Sequence, residues 1–432
     1  MAVGLSRRLK FTRLVAITMG TPLASSVFLS ISLICLSAGS IMNLITGILV
    51  ATVLVLMTSL SYGELVSIYP SAAGNRVFLK KPLGNLFALG LSLMWVFVIL
   101  GAAGVESFMV GNVLHFIFAG VPAILWAVLI LTIVLIINIV GIEISGNFQL
   151  IVTSLVSITL ASVFVFSIIF VKASYPATTT GFDLNSALTS AVIAVYFFLG
   201  FGRVTTLGEE ALDYEKGIPR AMPVAIFLLS LVFILASVAI YGHVPLNVLQ
   251  STFIPQVVLG DYILKGTPVP LLLAIVSVVM SFSAFNAGVL GTSRLIYALG
   301  REGTFPKFLG SIHPRFHTPY ASLILLYIIT LGVLVYVFGT GNYSLPILVA
   351  AGFDSFMYAL VGYSAFWHHR KGGEIVKIPF KVRGGTAIFL VTTLSFTILG
   401  VLFLLTSSIA VPAIIVLGTL AIIIFYRLRG VT

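Results

Sequence analysis

The stretch YFFLGFGRVTTLGEEALDYEKGIPRAM, Tyr196–Met222, decides how this chain folds. Gly200 and Gly202 weaken an apolar run, Arg203 follows directly, and Glu209, Glu210, Asp213 and Glu215 crowd together just beyond it. Such a cluster needs a reason, because only 8% of the 432 residues are charged and 59% are hydrophobic. A soluble domain carries about a quarter charged residues. A mean hydropathy of +1.19 instead places the chain in a lipid bilayer. The single cysteine, Cys35, excludes a disulfide framework, and no Cys/His spacing suggests a structural metal.

Working outward from Tyr196, apolar runs of about 20 residues, the length that crosses about 30 Å of hydrocarbon, recur along the chain. They fall near 14–36, 42–66, 85–110, 121–143, 148–171, 188–207, 221–242, 268–298, 320–338, 345–367, 387–407 and 411–428. About twelve spans are expected. The first run follows SRRLKFTR; it is too long for a cleaved signal peptide and lacks a small-residue cleavage site. A net charge of +11 need not mean nucleic acid, and none is expected as a partner: in a membrane protein, Lys and Arg report topology. With the N-terminus in the cytoplasm, only Lys172 and Lys265 fall outside, while Arg203 and Arg294 lie within or at the ends of spans. Both termini are expected to be cytoplasmic, and the cell membrane is the expected location. Continuous apolar runs exclude barrel strands, which alternate. No soluble domain is visible, so the chain reads as one all-α polytopic membrane domain, 1–432.

Two spans look interrupted. The first contains MGTPLASSVF, Met19–Phe28, with Gly20 and Pro22 ahead of the small triplet Ala24, Ser25, Ser26. The sixth contains YFFLGFGR. Either alone is compatible with a kink or close helix packing. Five spans apart, they would hold equivalent positions in two inverted repeats, 1–171 and 188–368, with two extra helices at 387–428. Paired interruptions point to a transporter's central site, where half-helix ends offer N–H groups to an anion and freed carbonyls to a cation.

Several stretches resemble the amino acid-polyamine-organocation (APC) superfamily of transporters. They are LSYGELVSIYPSAAGNRVFLKKPLG (Leu60–Gly84), the opening stretch, TSRLIYALGREGTFPKFL (Thr292–Leu309) and HPRFHTPYASL (His313–Leu323). The resemblance implies a LeuT-like fold, an inverted 5+5 repeat plus two C-terminal helices, and secondary transport of amino acids or related amines by alternating access, with H+ or Na+ as the coupling ion. It also implies a substrate carboxylate held at the first-span break, where a GSG-like triplet is usual and this chain has Ala24, Ser25 and Ser26. The family's acidic residue after the GF of span six is replaced by Gly202 and Arg203. A fifth-span lysine, found in a subset, is missing from 148–171.

An ionisable group at membrane depth is a functional candidate by default. Arg203 could hold a substrate carboxylate, close a gate, or snorkel to the interface. Asp354 sits roughly 14 Å into span ten, at 1.5 Å per residue, as a proton carrier, a buried partner of Arg203 or a structural hydrogen-bonding group. Glu106, late in span three, is expected near the outer interface, with coupling as its alternative role. Glu64 and Arg294 belong at cytoplasmic ends, in pairing or gating. The four acids after Arg203 read as a cytoplasmic latch or a solvated loop. Tyr196 and Phe198 flank the break as an aromatic lid on the substrate, beside Gly200 and Gly202. The resemblance also implies a candidate cation site, as in sodium-coupled relatives, combining carbonyls of Gly20 and Leu23 with the hydroxyls of Ser281 and Ser283.

No HExxH motif or clustered nucleophile and base appears, so an enzyme is not expected, and no cofactor is called for. The remaining alternatives are an exchanger without ion coupling and a membrane receptor or scaffold.

Overall fold

With no water in the hydrocarbon layer, each backbone polar group must be satisfied within its own segment, so apolar runs become helices. The computed structural model describes residues 5, 7–24, 26–173, 181–252, 254–342, 344–375 and 378–428. The helices in order are α1 (Phe11–Gly20), α2 (Val27–Ser37), α3 (Ile41–Ile68), α4 (Asn75–Leu83), α5 (Asn85–Ile117), α6 (Ala123–Val140), α7 (Ile142–Phe170) and α8 (Leu184–Val195). Then come α9 (Gly217–His243), α10 (Leu246–Leu249), α11 (Pro255–Ile263), α12 (Val269–Arg301), α13 (Tyr320–Thr340), α14 (Ser344–Ile375), α15 (Gly385–Thr406) and α16 (Ala410–Leu428). Among the described residues, eleven helices are long and apolar enough to cross a membrane. Along α7, Ile151, Leu155, Ile158, Val165 and Ile169 stay exposed at helical spacing, an apolar stripe suited to lipid tails.

The expected first span is divided into two shorter apolar helices, α1 and α2. The ladder stops at Gly20 because Pro22 has no N–H to donate, and it resumes at Val27. Ser25, part of the expected triplet, lies outside the described residues. The span that holds Tyr196 is divided too. After α8 the chain tightens into a 3₁₀ turn, Tyr196–Phe198, passes through Gly200 at φ +88°, and continues as a second 3₁₀ segment, Phe201–Leu207. That φ lies in the left-handed region that glycine alone enters without cost. A Cβ at Gly200 would also stand 2.5 Å from Thr21 Cγ2, so the two interruptions touch at this point.

Two core clusters hold the bundle. One joins α1, α2, α3, α8 and α9; the other gathers α5, α12, α14 and α16. The interrupted segments belong to the first cluster, through Leu23, Phe197, Phe198, Phe201, Val204 and Leu207, with α1 packed on α7, α9 and α12. The end of the bundle that carries the basic loops is tied shut. Leu9 forms an isolated β-bridge with Ala211, and the N–H groups of Arg8 and Leu9 both donate to Glu210 O at 3.0 Å.

Span boundaries shift where polar residues end the apolar run before the helix ends. The run near 85–110 belongs to a helix that continues to Ile117, which sets Glu106 about three turns from its end rather than at an interface. The run near 148–171 belongs to a helix beginning at Ile142, which draws Gln149 well inside it.

Candidate functional site: a chamber between two helix breaks

A cavity of about 500 Å³ opens where the two interruptions meet, within the usual 300–1,000 Å³ of small-molecule sites. Thr21, Pro22, Ala24 and Ser26 line it from the first break, and Tyr196, Phe197, Leu199 and Arg203 from the second. Ile99, Leu100, Ala103 and Glu106 of α5 form another wall, with Phe285, Gly288 and Thr292 of α12. Asp354 of α14 and Phe403 of α15 complete it. Most of this surface is apolar; its charge comes from Arg203, Asp354 and Glu106.

Arg203 does not snorkel. Its side chain stays inside, 8% exposed, with the guanidinium between two glycines. A Cβ at Gly200 would lie 3.2 Å from Arg203 Cζ, and one at Gly288 would lie 3.7 Å from Nη1. Arg203 Nε is buried without a partner, and among the described residues no side chain hydrogen-bonds or ion-pairs with the guanidinium. Asp354 is therefore not its contact partner. The Asp354 carboxylate, 2% exposed, accepts a hydrogen bond from Trp95 Nε1 at 3.0 Å instead. Glu106, expected near the interface, is only 7% exposed and accepts from the Ser281 hydroxyl.

Of the two expected lid aromatics, Tyr196 lines the cavity and Phe198 does not; Phe197 takes its place in the lining, and both phenylalanines pack edge-on against Phe233, at 5.3 and 5.6 Å. Gly200 donates its N–H to Tyr358 Oη at 2.9 Å. Gly202 lies behind the chamber, where a Cβ would meet the Tyr62 ring at 2.7 Å.

At the candidate cation site, a protein amide donates to one of the expected oxygens, that of Ser283. Gln149 Nε2 donates to Ser283 Oγ at 2.6 Å and to Thr153 Oγ1 at 2.9 Å, and it lies 2.0 Å from where a Gly20 Cβ would stand. Leu23 is fully buried in the core, and Ser281 is committed to Glu106. The amide belongs to a buried network: Asn286 Nδ2 donates to Gln149 Oε1 at 2.8 Å, and Asn286 Oδ1 accepts from Asn138 Nδ2 at 2.9 Å and Ser145 Oγ at 3.0 Å. Sequence reasoning passed over these three amides and Trp95. The available signal was an amide inside an apolar run, a group that burial penalises unless it is paired.

The acid cluster after Arg203 divides in two. Glu210 turns inward to a bidentate pair with Arg294, at 2.8 and 3.1 Å, both side chains fully buried. Glu209 forms a bidentate pair with Arg301, at 2.8 and 2.9 Å, and accepts the Ala72 N–H at 3.0 Å. Asp213 and Glu215 face outward. Nearby, Arg76 pairs with Glu302, and Glu64 binds His369 Nδ1 at 2.8 Å and the Val382 N–H at 2.9 Å.

A helical bundle that crosses the membrane many times and encloses a solute-sized, charge-bearing chamber between broken helices belongs to the class of membrane transporters. The amino acid permease profile matches residues 14–427, so the chain belongs to the amino acid permease family of the APC superfamily: permeases rather than enzymes. It is 27% identical over 323 residues to an uncharacterized transporter of Mycobacterium tuberculosis, covering 73% of this chain and 71% of that protein. It is also 27% identical over 348 residues to the low-affinity putrescine importer of Escherichia coli (77% and 75% covered). To the human cystine/glutamate transporter it is 26% identical over 353 residues (76% and 68% covered).

Proposed function

We propose that this permease moves amino acids or related amines across the cell membrane by alternating access, with the chamber as the single solute site and a proton as the coupling ion. In this reading α1 and α2 form one interrupted span, which brings the count to twelve. Residues 1–171 and 188–368 are inverted repeats, 387–428 adds two helices, and the basic end faces the cytoplasm with both termini. The observation that carries the reading is the chamber itself: two interrupted helices in contact at Gly200 and Thr21, with Ala24, Ser26 and Arg203 facing one cavity. Sodium coupling at the expected site is disfavoured by Gln149, whose N–H groups point at the oxygens a cation would need. A proton needs only a carboxylate that water or solute can reach, and Asp354 lines the cavity.

Uptake by purified protein in proteoliposomes, over a panel of amino acids and amines with proton and sodium gradients imposed separately, tests this directly. Accumulation should follow the proton gradient and ignore sodium. Sodium-driven accumulation at fixed pH would overturn the coupling, and no uptake of any compound would overturn the transport reading.

A further inference from the structure

Among the described residues, one charged group of the chamber has neither a hydrogen bond nor a contact ion pair. Asp354 accepts from Trp95 and Glu106 from Ser281, but no such partner touches the Arg203 guanidinium, which is more than nine-tenths buried and feels the Asp354 charge only across the cavity. A buried cation without an acceptor is costly, and arginine cannot shed its proton to escape that cost. The fold keeps the group there by design of its surroundings: glycine on both sides, at 200 and 288, clears the planar fork. Its position in the lining, rather than behind it, directs that fork at whatever enters.

Resting on the transport reading, we infer that Arg203 is the specificity-determining residue of the chamber: it receives a solute carboxylate, so the protein takes α-amino acids and rejects the amines that remain when their carboxylate is removed. A carboxylate matches the guanidinium fork in a bidentate pair and supplies the missing acceptor. An amine lacking it brings a second cation beside Arg203 and leaves the fork unpaired. Sites built around a buried polar partner discriminate strongly against analogues that lack it. The carboxylate is thereby held by a side chain on the second break, and the small residues Ala24 and Ser26 of the first break are left to shape the wall.

Matched pairs that differ only by the carboxylate read this out: leucine and 3-methylbutylamine, phenylalanine and phenylethylamine, ornithine and putrescine. Uptake and competition in proteoliposomes should favour the acid-bearing member of the transported pair by about 100-fold in the unaltered protein. Arg203→Gln should bring that ratio to within about threefold, and Arg203→Lys, which keeps a cation without the fork, should restore part of it. A purely structural role would weaken both members alike and leave the ratio unchanged, which would overturn the inference. So would equal uptake of acid and amine by the unaltered protein, a result readable even if the Arg203 variants fail to fold, and one that leaves transport intact. Absence of uptake of either member of every pair would overturn the transport reading and this inference together.

Discussion

Gly200 carries the junction between the two breaks, because its left-handed backbone and its missing Cβ are both in use. Gly200→Ala should destabilise the protein by at least about 1–2 kcal/mol from the backbone alone, with the collision at Thr21 adding to it. Gly332→Ala, at a helical glycine with nothing within 4 Å, should leave thermal denaturation in detergent unchanged or slightly improved. At Asp354, Asp354→Asn preserves shape and the Trp95 hydrogen bond but removes the titratable group. Proton-driven accumulation should disappear while exchange of labelled for unlabelled solute persists; full accumulation in the variant would reassign proton coupling to another group. Residue identity was legible in the sequence where burial of charge made a residue improbable, as for Arg203 and Asp354. It was not legible where one degree of backbone freedom decided a face. Phe197 and Phe198 have the same chemistry, and only the folded backbone shows that Phe197 is the one lining the cavity.

Among the elements, the fully buried Glu210–Arg294 pair ties the loop after the second break to α12, and Leu9 reinforces that loop from outside. Removing one partner of a buried ion pair costs about 3–5 kcal/mol because the other is stranded, whereas replacing both with apolar residues is often near neutral. Arg294→Met should therefore be strongly destabilising, and Arg294→Met with Glu210→Leu should recover most of the loss in the same denaturation assay. The double variant, folded but unlatched, should label faster at cysteines placed along the basic end. A Cys35→Ala background suits that experiment, since Cys35 is the chain's single cysteine, and its buried thiol donates to Ser237 O. Burial pushes the Glu209 carboxyl up, but the Arg301 guanidinium outweighs this and holds it below the ordinary carboxylate range. The sign follows: the stabilisation from this pair is complete above the unfolded value near about 4.3 and fades as pH falls through the folded value. Basic-end cysteine labelling, taken relative to a fully exposed cysteine at the same pH so that the loss of reactive thiolate cancels, should accordingly be flat from neutral pH down to about pH 5 and rise only in stronger acid, an onset that Glu209→Gln abolishes. The sequence left a latch and a solvated loop open for these acids, and it could not separate the inward pair, Glu209 and Glu210, from Asp213 and Glu215, because loop geometry sets which side chains turn in.

Across the whole molecule, the broad architecture was readable because a bilayer leaves few options: long apolar runs must be helices, and Gly and Pro inside them must face something other than lipid. What escaped was the polar interior. The Gln149, Asn286 and Asn138 network joins α6, α7 and α12 next to Gly20, and through Gln149 it engages Ser283, one of the oxygens expected of an ion site. Such residues carry no charge and no motif, and only their convergence in three dimensions reveals a fully satisfied cluster. The account as a whole rests on one cavity serving as the path of the solute. Its most direct measurement is proteoliposome uptake by Ala103→Trp, which fills the chamber from the half-buried α5 wall while leaving the sequence of both breaks, Arg203 and Asp354 unaltered. A variant that denatures like the parent yet takes up no labelled amino acid is the predicted result; undiminished uptake through a filled chamber would contradict it.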